Sequence, residues 1–153
     1  GIRNHAFPKE GKANIWVTVK PAEVKDLSQR IKLITLEDTR FLHCNIKTLN
    51  LIPSVMAAQK TAEAGCDEAF SIAATDRPRA SYQSVQGEQI PVDETPFTVA
   101  ELMDADEVIV SSSGSFCLVA NEIDGKPVGG KAPELIDTLQ KYLVKEFIDA
   151  TTV

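Results

Sequence analysis

Lys47 lies in Cys44-Asn45-Ile46-Lys47-Thr48-Leu49-Asn50, crowded by Ile46, Leu49, Leu51 and Ile52. A lysine in apolar surroundings loses stabilisation of its charge, its pKa falls, and the neutral amine can attack a carbonyl to form a Schiff base. The same side chain can instead carry its ammonium to the surface over its own methylenes, and spacing does not separate the two readings. Arg3 and His5 are two residues apart. On a strand they share a face and can clamp one carboxylate, Arg3 through its fork and His5 through a ring N–H; the alternative is a basic edge near a chain end. Ser111-Ser112-Ser113-Gly114-Ser115 follows a strand-like run. Its hydroxyls and backbone N–H groups can cradle a phosphate, without the spacing of a P-loop, or form a plain polar loop. Arg40 follows Glu37 and Asp38, a spacing that suits a surface ion pair worth ~0–1 kcal/mol. His43 and Cys44 are adjacent, and neighbours on a strand point to opposite faces, which sets aside a thiol hydrolase.

The elements that would position these groups can be read from periodicity. Asn14 to Lys20 alternates Ile15, Val17 and Val19 against Trp16 and Thr18 and predicts a strand ended by Pro21. Ile31 to Leu36 predicts a second, with Ile31, Leu33 and Thr35 on one face, and an extended path continues toward Lys47. From Asn50 the period changes. Ile52, Val55, Met56, Gln59 and Ala62 recur at three- and four-residue spacing, Pro53 suits a first turn and Gly65 a stop. Glu68 to Ala73 reads as a strand, and Ala80 to Glu88 as a weakly patterned helix. Thr98 to Met103 predicts a short helix with Glu101 in capping-box spacing. Glu107 to Ser111 predicts a strand, and Phe116 to Ile123 with Lys126 to Val128 predicts a hairpin around Asp124-Gly125, because a type I′ turn needs positive φ at both central residues. Pro133 to Phe147 sets Leu135, Leu139, Leu143 and Phe147 four residues apart and predicts a C-terminal amphipathic helix.

Composition narrows the class. The 153 residues correspond to about one domain. With 43% hydrophobic and 25% charged residues, the chain has the profile of a globular rather than a disordered or fibrous protein. A net charge of -6 argues against nucleic acid or anionic lipid as a partner. The longest apolar runs, such as Phe116 to Ala120, are too short to cross a bilayer. Cys44, Cys66 and Cys117 are an odd number at unrelated spacings. They fit neither a disulfide framework nor a zinc pattern, and lead us to expect free thiols in a cytoplasmic protein. The Gly1-Ile2-Arg3 start carries no targeting signal and is not expected of a natural beginning.

The stretch from Asp38 to Phe70, which includes Asp38-Thr39-Arg40-Phe41-Leu42-His43, Cys44-Asn45-Ile46-Lys47-Thr48-Leu49-Asn50 and Ala64-Gly65-Cys66-Asp67, resembles the lysine segment of D-amino-acid aminotransferases. These belong to the class-IV aminotransferases, fold type IV of the pyridoxal-phosphate enzymes. Arg3-Asn4-His5 is similar to the family's Arg-x-His carboxylate trap, Val110 to Ser115 to its serine- and threonine-rich strand end, and Glu122-Ile123-Asp124-Gly125-Lys126 with the final helix to its C-terminal end. The resemblance implies an α+β fold, the large C-terminal domain of a fold type IV enzyme with a mostly β core and peripheral helices. It implies pyridoxal 5′-phosphate as cofactor, bound covalently by Lys47, which also acts as general base and acid. It implies that Ser112 and Ser113 hold the phosphate, that Arg40 lies near the cofactor's phenolate oxygen, and that Arg3 and His5 grip the substrate carboxylate. The implied reaction is transamination between a D-amino acid such as D-alanine and a 2-oxo acid such as 2-oxoglutarate, in a homodimer. Arg3-x-His5 favours this over a branched-chain aminotransferase or an aminodeoxychorismate lyase, and a non-catalytic module that keeps the fold is the alternative of another class.

The chain also departs from the family. After Phe70 the family continues into a Glu-Gly-Ser-Ser-Ser-Asn-like segment and a Gly-Ile-Thr-Arg-like phosphate loop. Here Ala73 runs through Thr75-Asp76-Arg77-Pro78 into Arg79-Ala80-Ser81-Tyr82, which resembles the helix after that loop. The family's glutamate in that segment keeps the pyridine nitrogen protonated, and no residue here is assigned to replace it. The expectation is therefore a cofactor-binding large domain over residues 1–153, lacking the family's N-terminal domain and an internal segment near 74–79.

Overall fold

The computed structural model describes residues 15–21, 25–40, 49–72, 95–112 and 115–152. Arg3, His5, Lys47 and Ser113 lie outside them, as do Cys44, the extended path toward Lys47 and the weakly patterned helix at 80–88. The described chain runs β1 (Arg30–Glu37), α1 (Ile52–Glu63), β2 (Glu68–Ile72), α2 (Val99–Met103), β3 (Val108–Val110), β4 (Leu118–Ile123), β5 (Lys126–Pro127) and α3 (Pro133–Thr151).

The strands form one mixed five-stranded sheet in the order β2-β1-β4-β3, with β5 also pairing β4. β1 is central, parallel to β2 through α1 on one side and parallel to β4 on the other. β3 and β5 run antiparallel to β4, on its first and last residues respectively. The ladder between β1 and β2 is lengthened at both ends: Asp67 N donates to Lys32 O at 2.8 Å while Asp67 Oδ2 accepts from Lys32 N at 2.8 Å, and Asp38 N donates to Ile72 O at 2.7 Å.

The alternation in β1 buries Ile31 and Leu33, as the sequence predicts. Leu118, Ala120 and Ile123 of β4, Leu102 of α2, Val108 and Val128 complete the same cluster. In β4 strict alternation would bring Glu122, not Ile123, to that face. The register against β1 skips Asn121, which passes from Ile31↔Ala120 to Lys32↔Glu122. This bulge shifts the alternation by one and turns Ile123 inward, with no exposure left. Burying a side chain such as Leu33 or Ile123 contributes about 2–3 kcal/mol.

The capping box forms as predicted. Thr98 Oγ1 accepts from Glu101 N at 3.2 Å and the Glu101 carboxylate accepts from Thr98 N at 2.6 Å. That backbone donor first, and then the Thr98 hydroxyl, hold the Glu101 carboxyl below its ordinary pKa. The hairpin also forms as predicted, with φ of 50° at Asp124 and 73° at Gly125. Asp124 additionally ties the turn to β1: its N–H donates to Leu33 O at 3.0 Å, and its carboxylate accepts from Thr35 N at 2.8 Å and Thr35 Oγ1 at 2.6 Å.

The expected strand at 14–20 does not form over its described residues. Residues 15–20 have no regular structure, and Trp16 and Val19 are more than nine-tenths exposed. Alternation supplies a face but not a partner, and no described strand pairs with this stretch. The helix predicted from Ile52 forms and gives way at Gly65 as expected, but it turns the other way round. Ile52, Val55 and Met56 are exposed and Thr61 is buried, its hydroxyl donating to Ala57 O at 2.9 Å. α3 extends beyond Phe147 to Thr151, and buries Ile136 and Leu139 while Leu135 and Phe147 stay partly exposed. Its first turn is held from outside the helix. Glu107 Oε1 accepts from Ala132 N at 2.9 Å. Gly129, at φ 70°, lets that carboxylate approach, since a Cβ there would lie 3.2 Å from Glu107 Oε2.

Candidate functional site

A cavity of about 720 Å³ opens where the first residues of β1, β2 and β4 meet the end of β3. Ile31, Val110 and Leu118 form its apolar floor. Ser111, Ser112 and Ser115 form one wall, because the chain must leave β3 at Val110 and re-enter the sheet antiparallel at Leu118. The carbonyl of Ser112 accepts from both Ser115 N and Phe116 N at 3.1 Å, closing a tight turn. Phe116 leaves that turn at φ 40°, a left-handed conformation costing a non-glycine residue on the order of 1–3 kcal/mol. Its ring packs on Phe147 of α3, with centroids 5.0 Å apart.

Lys25, Asp26 and Gln29 form a second wall, carried on a turn in which Asp26 Oδ1 accepts from Ser28 N at 2.9 Å and Ser28 Oγ at 2.7 Å. The hydroxyl first, and then the backbone N–H, hold the Asp26 carboxyl below its ordinary pKa. Asp67 and Glu68 close the cavity at the start of β2, with the Asp67 carboxylate engaged by Lys32 N. Hydroxyls therefore face one side and carboxylates another. The serine side offers neutral donors, and the side of Asp26, Asp67 and Glu68, which also carries Lys25, is net acidic and matches a cationic group.

Of the residues predicted to act together, the structure describes Ser112 and Arg40 and places them apart. Ser112 lines the cavity by the first residues of β1. Arg40 lies beyond the other end of that strand, its Nε and Nη2 donating to Asp38 Oδ1 and Oδ2 at 2.8 and 2.7 Å. The ion pair expected for Arg40 is thus with Asp38, whose side chain is only 9% exposed. Sequence reasoning missed Lys25, Asp26, Gln29, Asp67 and Glu68. Only the Asp-x-Ser turn at 26–28 carried a local signal, since short polar side chains two residues apart close on the backbone.

Among the described residues, no group of histidine, cysteine, aspartate and glutamate is arranged to hold a metal ion, and no helix is long and apolar enough to cross a membrane. Cys66 and Cys117 are unpaired thiols. Cys117 is buried, which raises its pKa despite the opposing field of Arg30.

Comparison with solved structures defines the class first. The fold is similar to a fold IV transaminase from Curtobacterium pusillum, at a TM-score of 0.65 and 18% identity over 82% of this chain and 56% of that one. It is also similar to a hypothetical aminotransferase from Mycobacterium tuberculosis in its PLP-bound form, at a TM-score of 0.61 and 15% identity over 74% of this chain and 54% of that one. This is the fold type IV transaminase fold. No protein-family model matches the chain. In sequence it is 31% identical to a D-alanine aminotransferase of Staphylococcus haemolyticus over 173 residues, 91% of this chain and 61% of that protein. It is 27% identical to a D-alanine aminotransferase of Listeria monocytogenes over 183 residues, 97% of this chain and 63% of that protein. The chain therefore has the fold of the fold IV transaminases and is similar in sequence to D-alanine aminotransferases, and it spans about three-fifths of the length of these relatives.

Proposed function

We propose that this chain is the cofactor-binding large domain of a pyridoxal-phosphate-dependent aminotransferase that moves an amino group between a D-amino acid, such as D-alanine, and a 2-oxo acid, such as 2-oxoglutarate. The observation that carries the reading is the likeness to D-alanine aminotransferases over nine-tenths or more of the chain. The cavity supports it. Ser112, with Ser111 and Ser115 beside it, offers hydroxyl donors of the kind a phosphate monoester needs, over an apolar floor suited to an aromatic ring. Ser113, next in the chain, belongs to the same proposal.

Pyridoxal 5′-phosphate supplies an aldehyde that bonds amines and a ring that takes up electrons released at Cα. Lys47 would hold it through Nζ and, once displaced by the substrate amine, carry the Cα proton on that same nitrogen. Arg3 and His5 would hold the substrate carboxylate, and so decide which face of Cα meets Lys47. Arg40, paired with Asp38 beyond the other end of β1, is too far from Ser112 to reach the phenolate oxygen of a cofactor whose phosphate lies there, and is left out of this reading. A homodimer and a cytoplasmic location complete the proposal, the latter in keeping with the unpaired Cys66 and Cys117.

A second reading has its own support. The matched span of the Staphylococcus relative is 173 residues, longer than the whole 153-residue chain, so that relative carries residues inside the span that this chain does not. This is in keeping with a missing internal segment near 74–79, and with a non-catalytic module that keeps the fold without the segment's glutamate. One experiment separates the two. The chain is mixed with pyridoxal 5′-phosphate, the visible absorbance recorded, the adduct reduced with borohydride and the labelled lysine mapped. The expected result is an adduct on Lys47 and turnover of D-alanine with 2-oxoglutarate. Labelling elsewhere or not at all overturns the enzyme, and an adduct on Lys47 without turnover selects the module.

A further inference from the structure

We propose that the outer face of α1 is where two copies of this chain meet, in an isologous contact that packs α1 on α1 of a second copy; this deepens the proposed homodimer by naming its surface. α1 rests on β1 and β2 by its inner side, where Thr61 is buried and Pro53 and Ala57 are half-buried. Those three recur every four residues and so share one face. Ile52, Val55 and Met56, at three- and four-residue spacing, take the opposite face and are 71%, 64% and 58% exposed. Leu51 and Leu49 extend the patch past the first turn, 52% and 95% exposed. The turn ties them to it, since Leu51 N donates to Leu49 O at 3.0 Å and Leu51 O accepts from Val55 N at 2.8 Å.

Size and charge select the occupant. An aliphatic side chain of this kind carries roughly 60–120 Å² of apolar surface, so at these exposures the patch presents about 300–400 Å², as much as the largest patch on a typical monomer. Two such patches face to face, with the polar rim of an interface around them, bury about 1,000–1,300 Å², the low end of what a specific association needs. Residues 49–59 include no Asp, Glu, Lys or Arg, in a chain of which 25% is charged. A partner recognised by charge finds no counterpart there. A net charge of -6 makes two copies repel each other in general, and this face brings them together without setting like charges opposite. A two-fold axis puts the same neutral apolar patch on both sides, so the patch is its own complement. Loss of charge, with a methionine among the apolar side chains, is also the composition of an interface core.

The test is sedimentation equilibrium of the full chain, without cofactor, over a range of concentrations. The mass is expected to rise from one chain to two with a dissociation constant on the order of micromolar, as an interface of this size implies. More dilute chain is monomeric, and its α1 face is bare. Val55→Lys, in the middle of the patch, brings two ammonium groups together near the two-fold axis and should weaken the dimer about a hundredfold or more. Ile148→Lys, at a position of α3 that is 50% exposed, should leave the dimer unchanged. A chain that stays monomeric at every concentration overturns the inference, as does a dimer that survives a folded Val55→Lys. If Val55→Lys does not fold, hydrogen exchange on the unaltered protein decides: the amides of residues 52–56 should gain protection as concentration rises, and a dimer without that gain overturns the surface. The adduct on Lys47 is scored separately. A dimer of this kind without the adduct removes the enzyme reading and leaves the surface standing, and an adduct on a monomer does the reverse.

Discussion

α1 and α3 carry the same kind of pattern, apolar residues at helical spacing behind a proline in the first turn, and meet opposite fates. α3 buries Ile136 and Leu139 and reaches two loops through Gln140. α1 buries Thr61, and leaves Ile52, Val55 and Met56 on the surface, 58–71% exposed. Periodicity states which residues share a face; tertiary structure decides which face is covered. The covered side of α1 carries Thr61, with half-buried Ala57 one turn before it, and the Thr61 hydroxyl is satisfied within the helix by Ala57 O.

That contrast is open to direct measurement. Leu139→Ala in α3 should cost about 3 kcal/mol in urea denaturation, whereas Val55→Ala in α1 should stay within about 0.5 kcal/mol. Equal losses would show that the outer face of α1 is covered in solution. Next in size is Glu107→Ala, which removes the acceptor for Ala132 N at the start of α3. It should cost about 1–2 kcal/mol, and hydrogen exchange should rise first in the opening turn of α3 and not in α1. The smallest effect concerns the last turns of α3. Lys145 donates to Asp149, and this hydrogen bond, followed by the attraction of the same carboxylate, holds the lysine pKa above its ordinary 10.5. A raised pKa means a contribution that is present below the ordinary value and lost as pH climbs through the raised one. Since the pair is exposed, salt should weaken it. Stability of the unaltered protein and of Lys145→Met should therefore converge in strong alkali and at high salt, in denaturation curves taken across that range.

Local chemistry was the part of the fold most legible in the sequence. Thr98 with Glu101, Asp124 with Gly125 and the alternation of Ile31 and Leu33 each specify an element through neighbours a few residues away, and each forms as read. What escaped depends on partners distant in the chain. Ile15 to Val19 has the pattern of a strand but no described neighbour to pair with, and the bulge at Asn121 follows from how β4 meets β1. The site divides the same way. The serine wall was visible as a run of hydroxyls, and Ser112 does line the cavity. Asp67, Glu68 and Lys25 reach it only because three strands begin together, and Gln140 is one polar residue in an amphipathic helix until the structure brings Leu27 O and Cys117 O to its amide.

Asp124 shows how one position can be constrained twice. The turn asks for a residue that accepts positive φ, which favours glycine, asparagine and aspartate. The neighbouring strand asks for an acceptor, because β4 ends at Ile123 and the Thr35 N–H would otherwise sit on an open edge. Glycine meets the first demand and fails the second, and glutamate does the reverse. Only aspartate and asparagine meet both, and aspartate alone takes the Thr35 N–H and hydroxyl on two carboxylate oxygens. The side chain thus finishes a strand that the backbone stops short of.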